Sequence, residues 1–273
     1  MTKRNWSPEG TPGPGDNLIV RHGAVTFSDT ALWGSQFWLG SYNQAAPARL
    51  VLNSSSAQVT TAGMPEDGAQ GSIGVRYADI TARGASVVYL ETGSTRYGGS
   101  VVNMSVPVNS NVTLHTTLAG NADLNITGQG TVTNIGSTMS AAEADIVPAV
   151  EGMGEWYLAG NARLEFHNDV GDGQVVRLRA NSDLVLHEAA SFEGTISTEY
   201  WAGEVILDGI QADQASYAAD VLTLIRGNQA TDIKLVSPGE FQVFSTETGA
   251  KIVGGLYSMP EPGQASLLNY AGP

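Results

Sequence analysis

A nine-residue motif recurs along this 273-residue chain with one underlying spacing. LAGNADLNI at 118–126 is repeated as LAGNARLEF at 158–166 and, more weakly, as LRANSDLVL at 178–186. One period of about 20 residues, skipped once between the first two copies, relates all three. A fixed period of this length is typical of a solenoid, in which each repeat forms one turn and packs on its neighbours.

Apolar and polar residues alternate inside the motif, which is the pattern of a half-buried β-strand. Short apolar and β-branched runs, separated by Gly, Asn, Asp, Ser and Pro, continue along most of the chain. We therefore predict an all-β fold, a right-handed parallel β-helix with about 20 residues per turn. The inward positions predicted in the three copies are Leu124, Ile126, Leu164, Phe166, Leu184 and Leu186.

The corners of such a coil need residues that adopt a positive φ, and glycine and asparagine do so most readily. Asn121, Asn161 and Asn181 hold the same position in the three copies. Their amides either form a hydrogen-bonded ladder between turns or serve as separate surface turn residues.

The first 100 residues show the repeat poorly, which leaves a second architecture open. Turn signals about every 8–12 residues also fit an antiparallel β-sandwich, either for the whole chain or for its N-terminal portion. We predict an N-terminal β portion with a capping segment over residues 1–100, a solenoid core over 101–257 and an extended C-terminal arm over 258–273. The arm is rich in proline and glycine, and it either frays or packs on a neighbouring subunit.

Helical signals are concentrated between residues 140 and 150. Ser140 and Glu143 form a capping-box pattern, and Pro148 would end a helix early. We expect a short helical or irregular excursion in this segment.

The charge balance and the absence of cysteine exclude several functions. Lys and Arg number 13 against 27 Asp and Glu, and the net charge of −14 disfavours binding to a nucleic-acid backbone. Without cysteine the chain has no disulfide framework, thiolate metal site or cysteine nucleophile. No apolar run approaches the roughly 20 residues that span a bilayer, so we expect no membrane insertion.

The first eight residues carry two cations, Lys3 and Arg4, with no apolar region after them. We therefore expect no cleavable secretory signal in this stretch. The protein would then stay in the cytoplasm where it is made, leave by another route, or be an excised piece of a longer chain. The first alternative fits a virion protein, which assembles inside the host.

Two stretches resemble repeat units of proteobacterial autotransporter passengers. Residues 5–16, NWSPEGTPGPGD, precede an Ile-Val strand and are similar to the opening of such units. Residues 164–224, which include VGDGQVV and GEVILDGI, are similar to their late part. The resemblance implies a parallel β-helix used for adhesion, surface display or spacing, without catalytic residues. The chain also resembles the β-helical coils of phage tail spikes, fibres and head decorations.

Two of the four histidines, His167 and His187, are separated by one period of the repeat. That spacing stacks them on adjacent turns, but a zinc site needs at least a third ligand. Asp169 and Asp172 are near in sequence. We predict solvated or corner histidines, no metal site and no cofactor.

Two pairs of carboxylates on neighbouring turns match the requirement of β-helix lyases and glycosidases. Acidic and basic residues on stacked outward strands commonly pair across the ladder instead. The chain has no G-x-S-x-G, Walker A or dinucleotide-binding motif. We therefore predict no catalytic residues and no enzyme activity. The candidate carboxylates are Glu165 with Asp183 and Glu188 with Asp208, and the candidate cations that would stabilise the developing negative charge are Arg163 and Arg177.

Aromatic residues cluster near the start of the chain and again near residue 200. Exposed aromatics stack on sugar rings or anchor protein interfaces, whereas buried ones fill the core or cap the open end of a solenoid. Both alternatives stay open for the first cluster, and the second lies in a predicted loop, which favours an exposed contact. The candidate interface residues are Trp33, Phe37, Trp38, Tyr42, Tyr200 and Trp201.

Together these features favour a non-enzymatic structural protein of a phage virion, such as a decoration, spike or fibre component. The expected partners are further copies of the chain, with a trimer favoured, and other virion or surface proteins. A cell-surface glycan is an additional candidate. The alternatives are a secreted or surface-displayed β-helical adhesin module, located outside the cell, and a polysaccharide-degrading β-helix enzyme.

Overall fold

The protein is a β-solenoid of about 8 turns spaced roughly 21 residues apart, with 69% of the described residues in strands. The prediction of an all-β parallel coil is therefore confirmed. In the residues described, no helix has the length and apolar character needed to cross a membrane. The structure is a computed structural model that describes residues 18–29, 31–61, 76–92, 99–236, 239–255 and 265–270, with the backbone alone for 32–36 and 265.

The chain divides into two compact units, unit 1 (Met1–Thr133) and unit 2 (Asn134–Pro273). In unit 1, successive strands alternate between two parallel sheets. The first sheet has the order β1 (Leu18–Val20), β3 (Ala31–Leu39), β5 (Ser56–Thr60), β7 (Ala85–Glu91) and β9 (Asn111–Ala119). The second sheet has the order β2 (Ala24–Ser28), β4 (Ala48–Asn53), β6 (Arg76–Arg83), β8 (Ser100–Val106) and β10 (Ala122–Gly128).

Unit 2 shows the same alternation between two sheets. The first has the order β11 (Thr131–Ser140, which begins before the boundary), β14 (Gly154–Ala159), β16 (Gln174–Ala180), β18 (Thr195–Trp201), β22 (Gln229–Val236), β21 (Val221–Arg226) and β20 (Gln214–Ala218), with β13 (Ala149–Glu151) paired to β11. The second has the order β12 (Glu143–Ile146), β15 (Arg163–Phe166), β17 (Asp183–Leu186), β19 (Glu204–Asp208), β24 (Gly249–Gly254), β23 (Phe241–Ser245) and β25 (Ala265–Tyr270). A 3₁₀ turn over Ala189–Ser191 follows β17.

Alternate residues of most strands point into the coil, as the sequence pattern predicts. The six predicted inward side chains are at most 1% exposed, so the predicted register is confirmed. Phe166 packs edge-to-face on Trp156, with ring centroids 5.6 Å apart. Burying each large apolar side chain contributes about 1.5–3 kcal/mol, which makes this interior the main source of stability.

A hydrogen-bonded polar cluster lies in the interior of unit 2 around Gln174, which is fully buried. Its Oε1 accepts hydrogen bonds from Trp156 Nε1 at 3.1 Å and from Asn134 Nδ2 at 3.0 Å. Its Nε2 donates to the carbonyl oxygens of Glu151 at 2.9 Å and Gly152 at 3.0 Å. The amide is therefore satisfied on both sides, as a polar group in an apolar interior must be.

The sandwich-like alternative is wrong for the described residues before 100. Leu50 of β4 pairs in parallel with Val25 of β2 and with Ile80 of β6. The step along the chain from Leu50 to Ile80 is half as long again as the step from Leu164 of β15 to its partner Leu184 of β17. The longer and unequal steps hide the repeat from the sequence in this region.

The end of unit 2 changes from parallel to antiparallel pairing. β19 pairs antiparallel with β24, and both β24 and β25 pair antiparallel with β23. In the other sheet, β22 pairs in parallel with β18 and antiparallel with β21, which pairs with β20. Antiparallel strands therefore cover the hydrogen-bonding edge that each parallel stack presents at its last turn.

The predicted domain limits meet the structure at two places. The boundary between the compact units falls after Thr133, and the predicted division at residue 100 stays a prediction. Within the predicted arm over 258–273, residues 265–270 form β25, which pairs with β23 of the same chain. The rest of that arm lies outside the described residues.

The helical excursion expected over residues 140–150 is wrong. β12 and β13 occupy the segment, and β12 pairs in parallel with β15. Ala144 and Ile146 of β12 are buried beside the core residues of β15. Ladder hydrogen bonds and burial at alternate positions outweigh the local capping-box preference.

The corner prediction is confirmed at two of the three asparagines. Asn121 and Asn161 adopt the left-handed backbone conformation, with φ of 59° and 62°. In the third copy Asn181 does not adopt it, but Ala180 does, with φ of 52°, at the motif position where Gly120 and Gly160 have φ of 64° and 58°. Each copy thus has a left-handed corner, while the residue type that forms it varies.

An amide ladder lies on the outer face of unit 1, at asparagines other than those predicted. Asn125 Nδ2 donates to Asn103 Oδ1 at 3.2 Å, and Asn103 Nδ2 donates to Asp79 Oδ1 at 3.1 Å. Arg49 Nε lies 3.5 Å from Asp79 Oδ2. These side chains belong to successive strands of one sheet, so the ladder ties four turns together at the surface.

Candidate functional site

Tyr200 is an inserted residue near the end of β18. Arg179 of β16 pairs with Glu199, and the next residue, Ala180, pairs with Trp201, so Tyr200 has no counterpart in the ladder. This bulge gives Tyr200 a φ of 51° and leaves its side chain 86% exposed. A bulky residue in this conformation costs of order 1–3 kcal/mol, and such strain is concentrated at functional sites. Tyr200 is therefore the strongest candidate contact residue that the sequence predicted.

Trp201 is held firmly beside the bulge. Its Nε1 donates to the carbonyl oxygen of Ser182 at 2.7 Å. A Cβ atom added at Gly254 would lie 2.9 Å from Trp201 Cε3, so the indole packs on β24 at a distance that only glycine permits. The half-buried indole fixes the backbone of the bulge while Tyr200 faces solvent.

An open cavity of about 430 Å³ lies beside these two aromatic residues. Volumes of about 300–1,000 Å³ are typical of small-molecule sites. Two carboxylates line it, and Glu199 Oε2 is 3.4 Å from Arg179 Nη2. Aromatic faces beside hydrogen-bond acceptors suit either a sugar ring or the side chains of a protein partner. The cavity is lined by Thr198, Glu199, Tyr200, Trp201, Gly239, Glu240 and Gly255.

The predicted aromatic cluster near the start of the chain divides between core and surface. Phe37 and Trp38 of β3 are buried, as the core alternative requires. Tyr42 is half exposed, and its hydroxyl accepts a hydrogen bond from Arg76 Nη2 at 2.7 Å. The Trp33 side chain lies outside the described residues. Tyr42 is therefore the residue of this cluster that the structure presents at the surface.

His167 and His187 stack on the outer surface of unit 2, directly after β15 and β17. Their ring centroids are 4.1 Å apart and their planes differ by 20°. The predicted stacking of these two residues on adjacent turns is confirmed.

Three carboxylates surround the histidine pair. His187 Nε2 lies 2.9 Å from Glu165 Oε2, and His187 Nδ1 lies 3.2 Å from Asp208 Oδ2. His167 Nε2 lies 2.8 Å from Asp145 Oδ1, without the angles of a hydrogen bond. Nitrogen and oxygen donors of the kind that bind metals therefore converge at one place on the surface.

Glu165 lies at the centre of these contacts. Burial raises the pKa of its carboxyl, but hydrogen bonding with His187 and Arg163, together with the positive charge of Arg163, holds the pKa below its usual range. Arg163 Nε donates to Glu165 Oε1 at 2.7 Å. The carboxylate is therefore ionised at neutral pH. We define the outer histidine cluster as Asp145, Arg163, Glu165, His167, His187 and Asp208.

Asp183, the predicted partner of Glu165, is held by the next turn of the coil. Its Oδ1 accepts a hydrogen bond from the backbone N–H of Glu204 at 2.9 Å. Burial is the main reason that the pKa of Asp183 is raised. Arg177, the predicted stabiliser of developing negative charge, forms a ladder pair, with its Nη2 3.2 Å from Glu155 Oε2.

Asp208 lies beside His187, whereas the sequence analysis paired it with Glu188. The step from Leu184 of β17 to its partner Val205 of β19 is one residue longer than the step from Leu164 to Leu184. The inserted Tyr200 supplies the extra residue. Counting the residues of each turn separately, instead of assuming a constant period, would have placed Asp208 beside His187.

No family model matches the chain, and no match is found among curated proteins or solved structures. The resemblance to autotransporter passengers and to phage β-helices therefore stays a prediction.

Proposed function

We propose that this chain is a non-enzymatic structural protein of a phage virion, a decoration, spike or fibre component that acts through protein–protein contacts. The observation that carries the proposal is Tyr200, a strained and exposed aromatic side chain beside an open cavity. Buried tyrosines and tryptophans dominate the binding energy of many protein interfaces. The chain is proposed to assemble in the host cytoplasm and to reside in the virion.

The contacts of the candidate catalytic carboxylates and arginines support a structural role for these side chains. Glu165 is bound by Arg163, Asp183 accepts a backbone N–H, and Arg177 pairs with Glu155. Groups engaged in this way stabilise neighbouring turns. They do not present the free acid and base that glycoside cleavage requires.

The proposed partner is further copies of the same chain, in a trimer, together with other virion proteins. Tyr200 is the proposed anchor, with Trp201 as its support and Tyr42 as a second surface aromatic. An aromatic anchor in a pocket, surrounded by polar groups, is the usual anatomy of a stable interface.

The test is the native mass of the purified chain by light scattering, for the parent and for Tyr200→Ala. We expect a trimer for the parent and a dissociation constant raised at least about 30-fold by the substitution, the equivalent of about 2 kcal/mol at an interface anchor. Met153→Ala is the matched control, because Met153 is also 86% exposed in unit 2 and does not line the cavity. It should leave the trimer intact.

A monomeric parent at all concentrations would overturn the self-assembly proposal. Equal weakening by Tyr200→Ala and Met153→Ala would remove Tyr200 as its anchor.

A second function, a surface-displayed adhesin that binds a cell-surface glycan, is favoured by the composition of the cavity. Tyr200 and Trp201 offer aromatic surface, and Glu199 and Glu240 offer acceptors for sugar hydroxyls. Screening the parent and Tyr200→Ala against immobilised glycans distinguishes the two. Glycan binding by a monomer that Tyr200→Ala abolishes would replace the virion proposal with this one.

A further inference from the structure

We propose that the outer histidine cluster binds a divalent transition-metal ion through His167, His187 and Glu165, with Zn²⁺ as the best match. One ligand atom of each residue lies within 4.8 Å of the other two. Two imidazole nitrogens and one carboxylate oxygen, completed by water, form a usual open zinc site. Such ligand atoms lie about 3.4 Å apart around zinc. His187 Nε2 and Glu165 Oε2, now 2.9 Å apart, would open slightly, and no other pair would close by much more than an ångström. This inference is independent of the proposed function.

His187 already has the orientation that a metal ligand needs. A neutral imidazole carries one N–H, yet both nitrogens of His187 face carboxylate oxygens, Glu165 on one side and Asp208 on the other. With the proton on Nδ1 toward Asp208, the lone pair of Nε2 faces the lone pairs of Glu165 Oε2 at 2.9 Å. A cation bound by both atoms removes that repulsion. The second carboxylate then orients the ring, as it does in many zinc sites.

His167 supplies a second nitrogen without a hydrogen-bond partner. Its Nε2 and Asp145 Oδ1 are both shielded from solvent, and neither makes a hydrogen bond although they lie 2.8 Å apart. Shielded polar atoms of this kind are costly unless something binds them. Coordination of a metal by His167 would satisfy one of them.

The charge of the outer histidine cluster also matches a divalent ion. Its three carboxylates face one guanidinium, which leaves two net negative charges when both imidazoles are neutral. A divalent cation therefore neutralises the cluster. Protonation of both histidines would do the same, and the experiment below distinguishes these cases.

Metal entry requires one ring to turn. A metal lies in the plane of each imidazole that binds it, and the two planes are now stacked 20° from parallel. Both side chains are 33% exposed, so a ring can rotate about its Cβ–Cγ bond without displacing core atoms. The bound ion would then link the turns of β15 and β17.

The test is calorimetric titration of the full chain, first freed of metal, with ZnCl₂. We expect one bound ion per chain. His187→Gln and Glu165→Gln should weaken binding at least about 100-fold, and Asp208→Asn, which alters the orientation of His187, about tenfold or more. The matched control is His115→Gln, because His115 is also a stacked histidine but lies on the Tyr89 ring in unit 1. It should leave the affinity unchanged.

The absorption spectrum of bound Co²⁺ supplies a second readout, since a tetrahedral site gives intense visible bands that a loosely hydrated ion does not. Thermal melting of each variant shows that it is folded. Absence of zinc binding by the parent, or equal binding by His187→Gln and the parent, would overturn the proposal and leave the cluster as a proton-binding ladder.

Discussion

The outer faces of unit 1 and unit 2 carry ladders of the same geometry and different chemistry. In unit 1 the ladder consists of the amides of Asn125 and Asn103, which end on Asp79. In unit 2 the ladder consists of imidazoles and carboxylates around His187. Both rest on parallel strands stacked about 4.8 Å apart, which bring the same outward position into contact turn after turn. The coil thus fixes where outward groups meet and leaves open what they are.

The two ladders differ in how the hydrogen-bonding groups of their side chains are satisfied. An amide carries both a donor and an acceptor, so a column of amides satisfies itself and stays neutral. Carboxylates carry acceptors alone, so the column in unit 2 depends on donors from Arg163 and from the imidazole N–H groups. The outer histidine cluster therefore holds charged groups where the amide column is neutral.

The largest expected effect tests what the two ladders share. Leu164→Asp in unit 2 and Leu124→Asp in unit 1 each place an unpaired charge in the interior, so each should lower the free energy of unfolding by about 4 kcal/mol or more. Thermal melting followed by circular dichroism measures the loss. Glu143→Gln, at an exposed position of β12, is the control and should melt near the parent. A parent-like melt for either aspartate variant would contradict the inward register.

A smaller effect tests the buried polar cluster of unit 2. Gln174→Leu leaves Trp156 Nε1, the Asn134 amide and the carbonyl groups of Glu151 and Gly152 without their present partners. We expect a loss of about 2–4 kcal/mol, because each unsatisfied buried group costs about 1–3 kcal/mol and some rearrange. Urea unfolding measures it.

Gln214→Leu, at an exposed position of β20, is the control for that substitution and should change stability by less than about 0.5 kcal/mol. Equal stability of the Gln174 variant and the parent would show that apolar packing alone holds this part of the interior.

The smallest effect depends on pH. The raised pKa of Asp183 means that the folded protein holds this proton more tightly than the unfolded chain, whose aspartates titrate near a pKa of about 3.9. The stability that protonated Asp183 contributes is therefore fully present below the pKa of the unfolded chain. It is lost as the pH rises through the pKa of Asp183 in the folded protein. Glu204 opposes its ionisation by charge, and Arg163 favours it.

Asp183→Asn keeps the oxygen that accepts the Glu204 N–H and removes the charge. We expect it to match the parent at low pH and to be more stable by up to about 1 kcal/mol at neutral pH. Urea unfolding from acid to neutral pH measures the difference. Asp79→Asn, in the amide ladder of unit 1, is the comparison that corrects for removing one negative charge from an acidic protein. A stability difference between Asp183→Asn and the parent that does not change with pH would contradict the raised pKa of Asp183.

The sequence was sufficient for features that recur at the period of the motif. Leu164 and Leu184 were placed inward, Asn121 and Asn161 at corners, and His187 on the turn next to His167, because each inference used only a local pattern and one period. The contact with Asp208 was missed because the insertion of Tyr200 shifts the next turn by one residue.

Two other features escaped prediction for reasons of context. The capping-box pattern at Ser140 and Glu143 describes a local preference, but pairing with β15 supplies ladder hydrogen bonds and buries Ile146. The parallel turns of unit 1 were obscured because their register steps vary, as the long step from Leu50 to Ile80 shows. Tyr200 was chosen as a candidate contact from its residue type, while the strain that singles it out depends on backbone geometry.

In unit 2, the strands that end the parallel stack are different from those that set its number of turns. A parallel stack presents the same edge after every turn, so nothing inside it specifies how many turns there should be. β24, β23 and β25 supply the stop for one sheet, and the hairpin strands β21 and β20 supply it for the other. Duplicating one turn ahead of β19 would lengthen the parallel stack by about 4.8 Å and leave the antiparallel end strands unchanged. The number of turns can therefore change the length of the parallel stack without any change to the strands that end it.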